Sequence, residues 1–224
     1  MSSNFIEKVM MNGDAPASAD SSIRRSLRPS GRRERAQLLA AASEVFGLRG
    51  YYATVMEHVC EQARVSKPIV YAHFPGKLGL YLAVVEMHVD AWVGGVRKAL
   101  RSATDSERRM RAATSATFDF VDRRPRSYRL VFDSDAGGEP PVRRRLARST
   151  EDCVDAVCEA MNREGNDFRA RMVATGLVGA WQAAATDWVE SGRPVAKADA
   201  VEATVAMCWR GLARMPVHPS PRGS

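Results

Sequence analysis

A chain of 224 residues is long enough for one or two domains with a proper core, and its net charge of +7 favours an acidic partner. The four cysteines, Cys60, Cys153, Cys158 and Cys208, contain no CxxC pair, which argues against a disulfide scaffold and for a reducing cytosol. No early segment reads as a secretory leader and no apolar run approaches the ~18 residues of a membrane span, so the expected protein is cytoplasmic with no membrane partner.

Catalytic signatures are missing from the sequence. Gly76-Lys77 lacks the upstream glycine of a phosphate-binding loop, and no HExxH or GxSxG occurs. His58 and His88 have no partners at metal-ligand spacing. Cys153 and Cys158 are five apart, about 140° around a helix, and do not face each other. An all-α enzyme is therefore disfavoured, and neither catalytic residues, metal nor cofactor are expected. A redox role for Cys60 or Cys208 is a minor alternative.

In chain order, residues 1–29 are rich in Ser, Ala, Asn, Asp and Arg, and read as a disordered basic arm. Arg24, Arg25 and Arg28 precede Arg32, Arg33 and Arg35 of the first helix. This arm either follows phosphates or the minor groove, or is a solvated linker. A helix starts at Ser30, with Leu38, Leu39, Ala42, Val45 and Phe46 inward, and ends between Gly47 and Gly50. The next helix has a capping-box signal, Thr54 with Glu57, and an inward stripe of Val55, Val59 and Ala63. After the turn Arg64-Val65-Ser66, Ser66 caps a very short helix that has Pro68 early in it. There Val70 and Phe74 point inward, while Lys67, Ile69, Tyr71, Ala72 and His73 lie off that stripe. A two-turn helix is not stable alone, so its neighbours must hold it and its outer side is free. The residues alone leave two readings, a helical hairpin in an all-α core or a helix-turn-helix in the DNA major groove. Charge tips the balance, because residues 21–80 hold ten Lys and Arg against four acids, a net of +6.

These residues resemble the N-terminal domain of the TetR family of transcriptional regulators. The resemblance lies in the helix Arg32 to Phe46, in Gly50-Tyr-Tyr-Ala-Thr54, and in Val65-Ser-Lys-Pro-Ile-Val-Tyr-Ala-His-Phe-Pro-Gly-Lys-Leu78. It covers about a quarter of the chain. The resemblance implies that Lys67, Pro68, Ile69 and Ala72 face base edges. It also implies that Thr54, Tyr71, His73 and Lys77 hold phosphates and that Ser66 caps the helix. Two positions depart from the family pattern: Arg64 stands where Gly is usual, and Ala72 is small where the family is often bulky.

Beyond Gly76 the chain reads as six helices: Leu78 to Leu100, Asp105 or Ser106 to Arg124, Pro125 to Phe132, Pro141 to Arg163, Asp167 to Glu190, and Ala196 to Arg214. The expected fold is thus all-α, a three-helix helix-turn-helix domain (30–76) followed by a six-helix ligand-binding and dimerisation domain (77–215) and a loose tail (216–224). Leu177, Trp181, Trp188, Val205 and Trp209 form wide apolar faces, either buried in one protomer or shared in a homodimer. The resemblance implies the second. Met87, Trp92, Met110, Phe118, Tyr128, Phe132 and Trp181 could be plain core, or could line the small-molecule cavity that the family resemblance implies. The expected function is a ligand-responsive regulator, taken as a repressor. As a dimer it binds a near-palindromic double-stranded DNA operator and is released by an apolar or aromatic effector. A constitutive DNA-binding protein without ligand is the alternative. The expected coupling is a tilt of the helix after Gly76, joined to the reading helix through Pro75-Gly76.

Overall fold

The computed structural model describes residues 29–123, 126–161 and 168–213, and among them contains nine α-helices, one 3-10 turn and no strand. The arm (all but Pro29), the tail and the turn at 164–166 lie outside the described residues. The helices are α1 (Pro29–Arg49), α2 (Met56–Ala63), α3 (Lys67–His73), α4 (Lys77–Arg101), α5 (Ser106–Arg123), α6 (Ser127–Phe132), α7 (Pro140–Ala160), α8 (Phe168–Glu190) and α9 (Lys197–Ala213). The 3-10 turn, Asp135–Gly138, falls where the sequence predicts only loop.

The first three helices close around Leu38, Phe46, Val59 and Val70, all buried, with Phe74 just after α3. The predicted start of α2 is one residue early. Val55 is its N-cap, and Thr54 is fully buried, its hydroxyl donating to Gly50 O at 2.6 Å. His58 takes over at the helix end, its Nδ1 accepting the Val55 N–H at 3.3 Å. Val55 is consequently exposed, and the inward stripe is Met56, Val59, Cys60 and Ala63. Ser66 does occupy the N-cap of α3, but its hydroxyl makes no capping bond.

Arg64 ends α2 in the left-handed region, with φ 56° and ψ 44°. The N–H of Val65 reaches Cys60 O at 3.0 Å, closing the helix end. A residue with a Cβ is strained there by about 1–2 kcal/mol. Arg64→Gly should therefore raise unfolding stability by about 0.5–1 kcal/mol, since glycine's extra freedom in the unfolded chain offsets part of the relief. Urea denaturation checks this, and an unchanged or lower midpoint would contradict it.

Long α4 is the spine of the second domain, burying Leu80, Tyr81, Val84, Val85, Val89, Trp92 and Val96 at three- and four-residue spacing. α5 packs along it, started by Asp105, whose Oδ1 accepts the Arg108 N–H at 2.8 Å. Arg145 of α7 ties that helix to α4 through Glu86 and Asp90. The α8–α9 turn is pinned to α5: Lys197 Nζ donates to Asp119 at 2.7 Å and Asp122 at 3.1 Å, and Arg193 Nε to Asp122 at 3.1 Å. The Lys197 hydrogen bond, then that of Arg193, holds the Asp122 carboxyl below its ordinary range.

None of the four cysteines forms a disulfide. Burial pushes the Cys153 thiol up to about 12 and also raises Cys60 and Cys208. Little thiolate is present on any of these three at neutral pH, which weighs against redox sensing.

Candidate nucleic-acid interface and effector cavity

The reading surface begins with α3. Val70 is fully buried and Phe74 nearly so, and these two side chains anchor the short helix to α1 and α2. Lys67, Pro68 and Tyr71 are exposed, and Ile69 and Ala72 are partly so. Lys67 pairs with Glu57 of α2, both side chains half-exposed. That hydrogen bond holds the Lys67 ammonium above its ordinary pKa and the Glu57 carboxyl below. A pair this open to water is weak, so Lys67 can exchange Glu57 for a guanine edge or a phosphate at little cost.

Three residues assigned to phosphates by resemblance are occupied elsewhere. Thr54 is buried and bonded to Gly50 O. The His73 side chain is 1% exposed and its Nε2 lies 2.8 Å from Glu34 of α1, which fastens α3 to the first helix. Lys77 Nζ donates to Tyr51 O and Thr54 O, both at 3.0 Å, and sits 4.4 Å from the Tyr51 ring centre. These groups hold the α1–α2 turn against the start of α4. Of the four phosphate-assigned residues, Tyr71 has the open side chain, 51% exposed.

Among the described residues of the second domain, two hollows are large enough for a small molecule. The larger, about 830 Å³, is an open cleft between α6, α7 and α8 with Phe132, Ser134, Arg143, Leu146 and Gln182 on its walls. The smaller, about 350 Å³, lies at the far end from α3, between the end of α4, the start of α5, the end of α7, and α8 and α9. Leu100, Met110, Val157, Leu177, Trp181 and Trp209 give it an apolar wall. Trp181 is 1% exposed, and its indole N–H has no hydrogen-bond partner among the described residues.

Met110 and Trp181 thus come together in the far pocket, and Phe132 reaches the cleft. The other predicted ligand residues line neither. Trp92 is core, edge-on to Phe132 at 4.9 Å, with its Nε1 donating to Thr117 Oγ1 at 3.3 Å. Phe118 is fully buried with Trp188 at 5.6 Å, Tyr128 is buried, and Met87 packs half-buried against the core. The predicted dimer residues turn inward as well. Leu177, Trp181, Trp188 and Val205 are buried within the protomer and Trp209 is half-buried beside the far pocket. The outer face of α8 instead carries Phe168, Met172, Gly176, Gly179 and Ala183, of which Gly179 and Ala183 also border the open cleft, and that of α9 carries Ala203 and Met207.

Residues 38–84, spanning the helix-turn-helix and the first turns of α4, match the family model described as bacterial regulatory proteins, tetR family. Over 185 residues the chain is 47% identical to the HTH-type transcriptional activator FasR of Mycolicibacterium smegmatis, covering 82% of this chain and 84% of that protein. The chain belongs to the TetR family of transcriptional regulators. It is a DNA-binding regulator and not an enzyme. Its fold matches a TetR-like regulator from Rhodococcus sp. RHA1, with TM-score 0.67 and 24% identity over 81% of this chain and 97% of that one. It also matches FadR of Bacillus subtilis, solved in complex with stearoyl-CoA, with TM-score 0.67 and 13% identity over 77% and 96% of the two chains.

Proposed function

We propose that this regulator is a homodimer that reads a near-palindromic operator and responds to an elongated, largely apolar effector carrying a hydrogen-bond acceptor. One observation carries the effector: Trp181, on the wall of the apolar far pocket, has a buried indole N–H with no partner among the described residues. An unpaired buried donor is unfavourable, and a ligand carbonyl would relieve it. The pocket volume falls within the roughly 300–1,000 Å³ of small-molecule sites and counts against the constitutive alternative. The stearoyl-CoA complex of the Bacillus protein supports a fatty acyl thioester as the class. The name of the Mycolicibacterium relative supports activation as the sign of control, in place of the repression that the family resemblance implies. The division between reading head and effector domain falls at Gly76, and the regulator works in the cytoplasm, with the DNA.

On α3, Lys67, Pro68, Ile69 and Ala72 meet base edges and Tyr71 meets phosphate. His73, Lys77 and Thr54 brace the head that presents them. The dimer uses the outer faces of α8 and α9. Phe168, Met172, Gly176, Gly179 and Ala183 lie within about 80° of one another around α8, and the small residues at its centre let two helices approach closely. An effector acts by preferring one spacing of the two heads, which changes operator affinity by about 5–150-fold.

Titration with stearoyl-CoA tests the effector. Binding should quench tryptophan fluorescence, weaken on Trp181→Phe, and shift the affinity for a duplex selected from random sequence. Stearoyl-CoA, stearate and shorter acyl thioesters all leaving fluorescence and DNA affinity unchanged would contradict the acyl class.

A further inference from the structure

The α1–α2 turn, Gly50 to Val55, is gripped from two sides. Its carbonyls, at Tyr51 and Thr54, accept from Lys77. Its N–H groups are taken by a residue of the second domain. Asp135, in the 3-10 turn, accepts from Tyr51 N at 2.9 and 2.8 Å and from Tyr52 N at 3.3 Å. Gly50 is shaped for that contact, since its φ is 77° and a Cβ there would collide with the Asp135 carboxylate. A neighbouring contact joins the same parts, Arg126 pairing with Glu44 of α1. Within the second domain, Tyr81 OH lies 2.8 Å from Ser134 Oγ and holds the segment before Asp135 to α4. The head is therefore not joined to the effector domain by Pro75-Gly76 and α4 alone.

We propose that Asp135 is a positioning residue for DNA reading: by capping Tyr51 and Tyr52 it fixes the angle at which the effector domain presents the helix-turn-helix. Carboxylate bonds to backbone N–H groups are short and directional, so they set orientation as well as energy. The residues leading into the 3-10 turn, Val131, Phe132, Asp133 and Ser134, and Gly137 within it line the cleft. A shift of α6 therefore reaches the head directly. This rests on the two-headed reading above, because a fixed angle matters when two heads must meet one duplex.

The test uses the full chain with Asp135→Ala and Asp135→Asn, read by amide exchange and by titration of a duplex that the wild type selects. In the wild type the Tyr51 and Tyr52 amides should be protected. In Asp135→Ala they should exchange at least about tenfold faster. The operator Kd should rise about tenfold at every salt concentration, with the salt slope unchanged, because Asp135 releases no counterion. The variant should still sediment as the wild type does and stay folded at assay temperature, with a somewhat lower unfolding temperature from the lost carboxylate bonds. Loss of the active fraction with unchanged Kd would reduce Asp135 to a stability role and overturn the proposal. Fast exchange with wild-type Kd, or slow exchange in the variant, would do the same. Should the alanine variant not fold, the nearly isosteric Asp135→Asn decides: a Kd about threefold weaker supports positioning, and wild-type Kd overturns it. A wild type that selects no duplex would fail the two-headed reading, whereas the exchange arm would still judge the clamp.

Discussion

Gly179→Arg should turn a dimer into a folded monomer and weaken operator binding by at least about 100-fold. Gly179 is exposed on the outer face of α8, and a Cβ there meets nothing within 4 Å, so the protomer itself tolerates a side chain. Arginine is also the better helix former. Across a symmetric interface, however, each α8 meets its copy, and two guanidinium groups would be forced together where small residues allow close approach. A lone head loses the effective concentration its twin supplies, which is commonly worth 10²–10⁴ in affinity. Leu177→Asp and Val205→Asp behave differently, because both side chains are buried in the protomer and a carboxylate there should cost the fold. Sedimentation with circular dichroism separates the cases: monomer with full helicity for Gly179→Arg, lost helicity for the other two. Dimeric Gly179→Arg would contradict the interface.

Lys77→Met should lower stability by about 2–4 kcal/mol and weaken every duplex without changing the salt slope. Its ammonium donates to two carbonyls of the α1–α2 turn, and charge-assisted bonds contribute about 1.5–3 kcal/mol each before partial exposure discounts them. Methionine keeps the stem and removes those bonds, so the turn that carries the reading head loosens. A phosphate-bound Lys77 would instead flatten the slope by about one unit while leaving stability alone. Urea denaturation and a salt series distinguish the two outcomes.

These residues also show how far the sequence is legible. The helix order is readable end to end, and most described boundaries fall within two residues of expectation, because caps, prolines and glycines act locally. The α3 motif is equally local: Pro68, Val70 and Phe74 specify a short anchored helix with Lys67 and Tyr71 outward. Thr54 misleads because both of its roles, capping α2 or closing the turn onto Gly50, use one hydroxyl, and tertiary contacts choose. The aromatic stripes of α8 mark an apolar face without saying whose. The protomer core takes Trp181 and Trp188, leaving Gly176, Gly179 and Ala183, too small to register as a hydrophobic run. The far pocket is a gap where five helices fail to meet, and a gap has no local signature. Asp135 reads as loop polarity because its partners are 83 and 84 residues away.

The most direct test of the account is competitive titration of wild type and Lys67→Ala against a selected operator and a scrambled duplex of equal length. The account predicts that the wild type prefers the operator by about 10³-fold or more. Lys67→Ala should lose mainly operator affinity, by about 5–100-fold, so that the preference shrinks. Equal losses on both duplexes, or a wild type without preference, would contradict base reading through α3.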